Sequence, residues 1–341
     1  MAAATETQHE SNPEDERFHL AAALVLEDQI DQVAGLSRGL LDVTNPDSAE
    51  QMWLACRRMR AAIEMFSPCF SKAQSRGAKE EVRLLTKAVA ARRDVDSVIE
   101  TVEGVVAEMD DSGKEGVVRL VDRLRDRQGD TNRALAQVIH GRRMQAFRVR
   151  IEDLTDAPVG NSDNASLRGP HHPLQEIPDS ATELVATRLA RLRENVPAAL
   201  EPYAIKDQHR MRVAAERLRY ALELTAEAMG SQANTARRAA RGLHEVLGEI
   251  RDCDIALPEV REQLRLLEEE DVKTILERAR GNRDLDPILV QAAPNRSSYR
   301  GLKLLTIHLL SRRQMMFERF RRLWLEQSRQ GVWVALETSF K

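Results

Sequence analysis

The chain has 341 residues, long enough for two ordinary domains with cores of their own, and its 51 Lys and Arg nearly balance its 54 Asp and Glu, a formal net charge of −3. Charged residues make up 31% and aromatic residues 4%, with 16 Gly and 12 Pro, which excludes a turn-rich all-β fold and a wholly disordered chain and predicts an all-α protein. Cys56, Cys69 and Cys253 are odd in number, widely spaced and form no CxxC pair, so neither a disulfide framework nor a structural zinc site is indicated, and a reducing cytoplasm fits best.

In chain order, residues 1–16 are small, polar and acidic with no apolar period, and read as a disordered acidic tail. Phe18 to Leu26 is the longest early apolar stretch; at nine residues, with His19 inside it, it is too short to cross a membrane and has no basic leader for export. From 17 to 154 the apolar residues recur at three- and four-residue spacings, which predicts a first bundle of four or five helices broken near Pro46, Pro68 and Gly113. Residues 155–180 gather four Pro with Gly, Asn, Asp and Ser and read as a linker. A second bundle is predicted over 181–330, interrupted near Pro202, Pro258 and between Gly281 and Pro294, with 331–341 as a C-terminal tail.

The two bundles resemble each other in sequence. Glu50 to Phe66 aligns without a gap on His209 to Thr225, with six of seventeen positions identical. Further on, Arg93-Asp94-x-Asp96 matches Arg251-Asp252-x-Asp254, and Arg142-Arg143 with Phe147 matches Arg312-Arg313 with Phe317. Three collinear matches predict an internal duplication, two helical bundles about a pseudo-two-fold axis, with the ligand in the cleft between them.

Of the 51 basic residues, 43 are Arg, whose planar fork pairs with carboxylate or phosphate through two hydrogen bonds. At 100° per residue, His209, Arg212, Glu216, Arg219 and Glu223 share one stripe and Met211, Ala214, Ala215, Leu218 and Leu222 the opposite one; the first bundle repeats the stripe as Glu50, Trp53, Arg57, Arg60 and Glu64. One helix of this kind reads as a solvated face with ion pairs four residues apart. Two of them, facing each other across a cleft with Arg93, Arg251 and the Arg142-Arg143 and Arg312-Arg313 pairs, read as a polyanion site.

HRMRVAAERLRYALEL followed by LGEIRDCDIAL resembles the signature of CHAD domains, conserved histidine α-helical domains, H-x-x-R-V-x-x-(K/R)-R-L-R-(Y/A) and then L-G-x-x-(R/Q)-D. The resemblance covers essentially the whole chain outside the tail, because CHAD domains are themselves two related helical bundles with a basic groove between them. It implies binding of inorganic polyphosphate through that groove, and association with polyphosphate granules. Carried over by position, the binding residues are His209, Arg212, Arg217 and Arg219, with Arg57, Arg58 and Arg60 as their first-bundle equivalents. This chain departs from the pattern at Glu50, Trp53 and Glu216, which remove positive charge from the stripe and bear on the strength of binding.

The ligand agrees with the residues: a polyphosphate chain carries charge but no bases, and no aromatic is interleaved among the second stripe's arginines to stack one, so sequence-specific nucleic acid is not expected. His171-His172 lies in the linker without a companion at ligand spacing, and in the two Arg-Asp-x-Asp runs one Asp is expected to fix a neighbouring Arg rather than hold a metal. No GxxxxGK[ST] loop, GxSxG elbow or HExxH helix occurs. The reading is therefore a binding protein, not an enzyme, with no cofactor, no metal and no membrane partner; the sequence sets no oligomeric state. The alternative is a helical scaffold of the same fold that has lost the ligand and acts through protein contacts.

Overall fold

The computed structural model describes residues 13–45, 47–155 and 179–340. Among them every element is helical: α1 (Pro13–Ser37), α2 (Asp47–Met65), α3 (Lys72–Val106), α4 (Asp111–Val138), α5 (Gly141–Thr155), α6 (Asp179–Ala199), α7 (Ile205–Met229), α8 (Ser231–Arg278), α9 (Pro287–Gln291), α10 (Arg296–Arg329) and α11 (Val332–Thr338). None of these helices is long and apolar enough to cross a membrane.

Local sequence explains where the elements start and stop. A 3₁₀ turn at Ser67–Cys69, built on Pro68, separates α2 from α3, and Ser71 caps α3 in a reciprocal box with Gln74. Gly230, at φ +82°, turns the chain from α7 into α8, a backbone angle that favours glycine. Pro202 lies in the break between α6 and α7, where Gln208 Nε2 donates to the carbonyl oxygens of Glu201 and Pro202.

Three cores form. The first joins α1, α2, the front of α3 and α5 through residues such as Leu26, Met52, Met59, Val82 and Phe147. The second joins α6, α7, the front of α8, the end of α10 and α11 through Leu189, Leu218, Leu247, Phe317 and Trp333. The third is made by both halves of the chain: Val95, Val102 and Leu120 of α3 and α4 pack with Cys253, Val260, Leu302 and Leu305 of α8 and α10. Asp271 fastens this core's outer end by accepting from Asn295 and, at 2.7 Å, from the Tyr299 hydroxyl.

Several sequence expectations change. The break expected near Pro258 does not occur, since α8 runs through it for 48 residues; the neighbouring turns are held by Cys253, Leu257 and Val260 in the shared core, which outweighs one lost backbone hydrogen bond. Residues 331–341, expected as a tail, contain α11, whose Val332, Trp333 and Leu336 are buried, with Trp333 stacked 5.9 Å from Trp324. Residues 13–16 of the expected acidic tail already belong to α1, while 1–12 lie outside the described residues, as do 156–178 of the linker with His171-His172.

The two halves also meet where α4 crosses α10, and they do so through glycine. A Cβ on Gly301 would stand 1.7 Å from the Gly113 carbonyl oxygen, and one on Gly116 would stand 2.3 Å from that of Ser298. Gly301→Ala should therefore force the helices apart and destabilise the protein by about 1–3 kcal/mol or more. Gly248→Ala, in the middle of α8 with open space beside it, should stabilise by up to about 1 kcal/mol. Urea unfolding midpoints of the two variants check this, and an unchanged midpoint for Gly301→Ala would contradict it.

Candidate functional site

The polar stripes of α2 and α7 meet. Each helix buries its apolar side in its own core, Met52, Met59 and Ile63 on α2 and Met211, Leu218 and Leu222 on α7. What remains between them is charge. Trp53, 2% exposed, lies in the middle of this seam with three guanidinium groups over its ring, Arg93 at 4.4 Å, Arg57 at 4.8 Å and Arg212 at 5.7 Å from the centroid. The residue that departs from the motif thus supplies a π-face in place of a fourth cation.

Glu216 completes the seam. It is 0% exposed, neither carboxylate oxygen accepts a hydrogen bond, and Arg57 Nε stands 3.7 Å from Oε1. Burial raises its pKa, opposed by Arg57, Arg212, Arg219 and Arg93. Arg57 and Glu216 occupy aligned positions of the sequence match, and their encounter is an attractive one. Beside them α6 adds Arg188, which pairs with Glu64, and the enclosed space among Arg57, Glu64, Arg188, Glu216, Arg217 and Tyr220 is about 20 Å³, enough for one water molecule.

The rim is cationic. Arg58 and Arg219 share Glu223 at 3.6 and 3.7 Å, Arg60 donates to Glu64 at 3.1 Å, and Arg93 pairs with Glu50. Arg217 has no acidic partner among the described residues; burial and the neighbouring Arg188 and Arg60 lower its pKa. Arg251, half-buried, makes no hydrogen bond or ion pair among the described residues either, and lines an adjoining cavity of about 340 Å³ with Arg127, Asp94 and Asp254.

The two histidines of the seam are neutral. Arg212 Nη1 donates to His244 Nε2 at 3.1 Å, and since a guanidinium only donates, the imidazole proton sits on Nδ1. Burial, then the charges of Arg212, Arg219, Arg93 and Arg57, hold His244 down to about 3; burial, then Arg212, Arg251 and Arg57, hold His209 down to about 4. His209 Nδ1 is buried without a hydrogen-bond partner among the described residues. At neutral pH His209 is a hydrogen-bonding group rather than a cation.

Nine of the thirteen residues singled out in the sequence come together here: Arg57, Arg58, Arg60, Arg93, His209, Arg212, Arg217, Arg219 and Arg251. Four do not. Arg142 and Arg143 are exposed on α5, which packs on α1 and α3, and Arg312 pairs with Glu249 at 3.1 Å on the outer side of α8. Arg313 is 4% exposed and donates to Asp254 at 2.6 Å, to the Pro202 carbonyl and to Gln208, so its charge ties α10 to α8 and to the α6–α7 turn. Its aligned residue Arg143 has no such role, because in the first half Arg92 of α3 holds Asp96 at 2.8 Å instead. Asp252 accepts from Ser97 at 2.8 Å across the halves. The stripe also proves to be an interface: Arg212 is 4% exposed, not the lining of an open groove. Arg188 and His244 were not singled out, being isolated polar residues whose partners lie far along the chain.

The family model of the CHAD domain matches residues 24–261. None of the curated proteins matches the sequence. Among solved structures, the crystal structure of the CHAD domain from the plant Ricinus communis is similar, with a TM-score of 0.57 and 18% identity over 90% of this chain and 91% of that one. PptA from Streptomyces chartreusis is similar with a TM-score of 0.56 and 17% identity over 89% of this chain and 98% of that one. At these identities the likeness is one of fold.

The seam sets a pH dependence of stability. Both histidines have folded-state pKa values below the ordinary 6.5, so their contribution is present above about 6.5 and is lost as pH falls toward 4 and 3, where only the unfolded chain takes up the protons. Glu216 and Asp252, raised by burial, act in the opposite direction. A His244→Gln variant keeps an acceptor for Arg212 and leaves those carboxylates in place, so its unfolding free energy, measured by urea titration, should fall less between pH 7 and pH 5 than that of the unaltered protein, by up to about 1.4 kcal/mol per pH unit. Parallel curves for the two proteins would contradict the assignment.

Proposed function

The chain belongs to the CHAD domain family, and from that premise we propose that it binds inorganic polyphosphate at the α2–α7 seam and performs no chemistry on it. The observation that carries this reading is the gathering of eight arginines and His209 from α2, α3, α7 and α8 in a protein whose net charge is −3, with Arg217 and Arg251 left without an ion pair among the described residues.

The seam's interior has room for one water, and Arg57, Arg212 and Arg219 already surround Glu216. The ligand therefore lies along the rim, where Arg58, Arg60, Arg217 and Arg251 reach solvent. Each contact releases counterions condensed on the polyphosphate chain, and that release is the main source of affinity. Trp53 sits beneath its arginines and offers no platform for a base, which favours polyphosphate over nucleic acid. A ligand of many repeating charges would place the protein on polyphosphate granules in the cytoplasm. The closed interior and the buried Glu216 favour the second reading, a helical scaffold that works through protein contacts with no polyanion.

Titration with long-chain polyphosphate between 50 and 200 mM salt separates the two. Four rim contacts, each contributing about −0.7, give an expected slope of log affinity against log salt of about −3, steeper where a long chain makes contacts beyond the rim. Arg217→Gln should weaken binding about tenfold or more, the worth of one charge-assisted hydrogen bond. A protein that fails to bind, or that binds with no salt dependence, would favour the scaffold; equal affinity for single-stranded DNA would remove polyphosphate as the specific ligand.

A further inference from the structure

Outside the seam, the front of α3 carries a second concentration of positive charge. Lys72, Arg76, Lys79 and Arg83 follow at four, three and four residues, and Lys87 follows four later, so all five project from one side of the helix over about 22 Å. Three of the chain's eight lysines fall on this face. Lys72, Arg76, Arg83 and Lys87 are exposed and Lys79 is half-buried.

An ordinary solvated helix face intersperses acids that pair with its cations. Here only Arg83 is paired, with Glu80 through two hydrogen bonds of 2.7 and 2.8 Å, while Lys72, Arg76, Lys79 and Lys87 have no acidic partner among the described residues. Arg150 of α5 reaches over beside Gly77 and stands 3.5 Å from Glu81, adding a further cation to the same surface. Lys72, Arg76, Lys79, Arg83, Arg150 and Arg60 line one open concavity of about 1120 Å³ whose one carboxylate is Glu80, held by Arg83, next to the capped N-terminus of α3, whose dipole has the same sign.

Arg60 is the link. It lines both this concavity and the small space beside Glu216, so the rim of the seam runs directly into the α3 face. We infer that the α3 face is an outer track on which a polyphosphate chain held at the seam continues past Arg60, so that long chains are gripped at two adjoining surfaces and short ones at the seam alone. This rests on the polyphosphate reading above and adds to it a second site and a preference for chain length.

The test is a triple variant, Lys72→Gln with Arg76→Gln and Lys79→Gln, titrated with tripolyphosphate and with long-chain polyphosphate at several salt concentrations. These residues make no hydrogen bond or ion pair among the described residues, and the variant's helical content and melting temperature should match those of the unaltered protein. Long-chain affinity should fall about tenfold or more and its salt slope should become shallower by about 2, three contacts at about 0.7 each, while tripolyphosphate binding stays the same. An unchanged long-chain affinity and slope would overturn the track alone, as would an equal loss for both ligands, which would make these residues part of the seam site. Failure of the unaltered protein to bind either ligand would overturn the polyphosphate reading and the track with it.

Discussion

The pairing of Glu216 with the arginines around it is the constraint on which the rest of the molecule depends. Two helices that each present arginines toward a partner repel one another unless an anion sits between them. In this protein the carboxyl group that can take that place is part of the chain: Glu216 faces Arg57 at 3.7 Å, and the charges of Arg57, Arg212, Arg219 and Arg93 favour its ionised form against the burial that raises its pKa. Removing one partner of a buried ion pair typically costs about 3–5 kcal/mol because the other charge is left without compensation. The seam closes on Glu216, Trp53 spreads three guanidinium groups over its ring, and α2 and α7 are held together. The third core then joins α3 and α4 to α8 and α10 behind them.

Net charge conceals this arrangement because the acids and the cations are not distributed evenly. Asp96 and Asp254 are spent on Arg92 and Arg313, deep in the two halves, and Glu50, Glu64 and Glu223 on the seam's own arginines. Around the seam, what is left without an acidic partner among the described residues is Arg217 and Arg251 at the rim and Lys72, Arg76, Lys79 and Lys87 on the α3 face beyond Arg60. A protein of nearly zero total charge thereby keeps cations without acidic partners beside its seam, and on the proposed function a polyanion would bind where internal carboxylates are missing rather than where arginines are most numerous.

The all-α class, the breaks near Pro46, Pro68 and Pro202 and the two charged stripes were legible in the sequence because each depends on neighbouring residues and the helical period. What covers a stripe is a long-range matter. The helical wheel places Arg212 and Glu216 on the polar side of α7 but does not say that α2 lies over them, so an open groove was the natural reading and a closed seam is the result. Arg312 and Arg313 show the same limit at finer scale: adjacent in sequence, they lie 100° apart on α10, one on the outer side and the other sealed against Asp254. The match of Arg143 to Arg313 failed because Arg92 supplies the buried cation of the first half from a different helix. Trp333 and Leu336 in the C-terminal segment carried a helical spacing that shortness obscured, and Arg188 and His244 gave no local signal at all.

Glu216→Gln offers the most direct measurement. Glutamine keeps the shape of the side chain and removes its negative charge, leaving Arg57, Arg93, Arg212 and Arg219 without their internal anion. If Glu216 occupies the electrostatic place that a polyphosphate chain would otherwise take, the variant should be less stable than the unaltered protein yet bind long-chain polyphosphate about tenfold more tightly at fixed salt, with its helical content intact and with a larger rise in melting temperature on adding ligand. Affinity equal to or weaker than that of the unaltered protein, in a variant that remains folded, would contradict the role of Glu216 as the internal counter-anion of the seam.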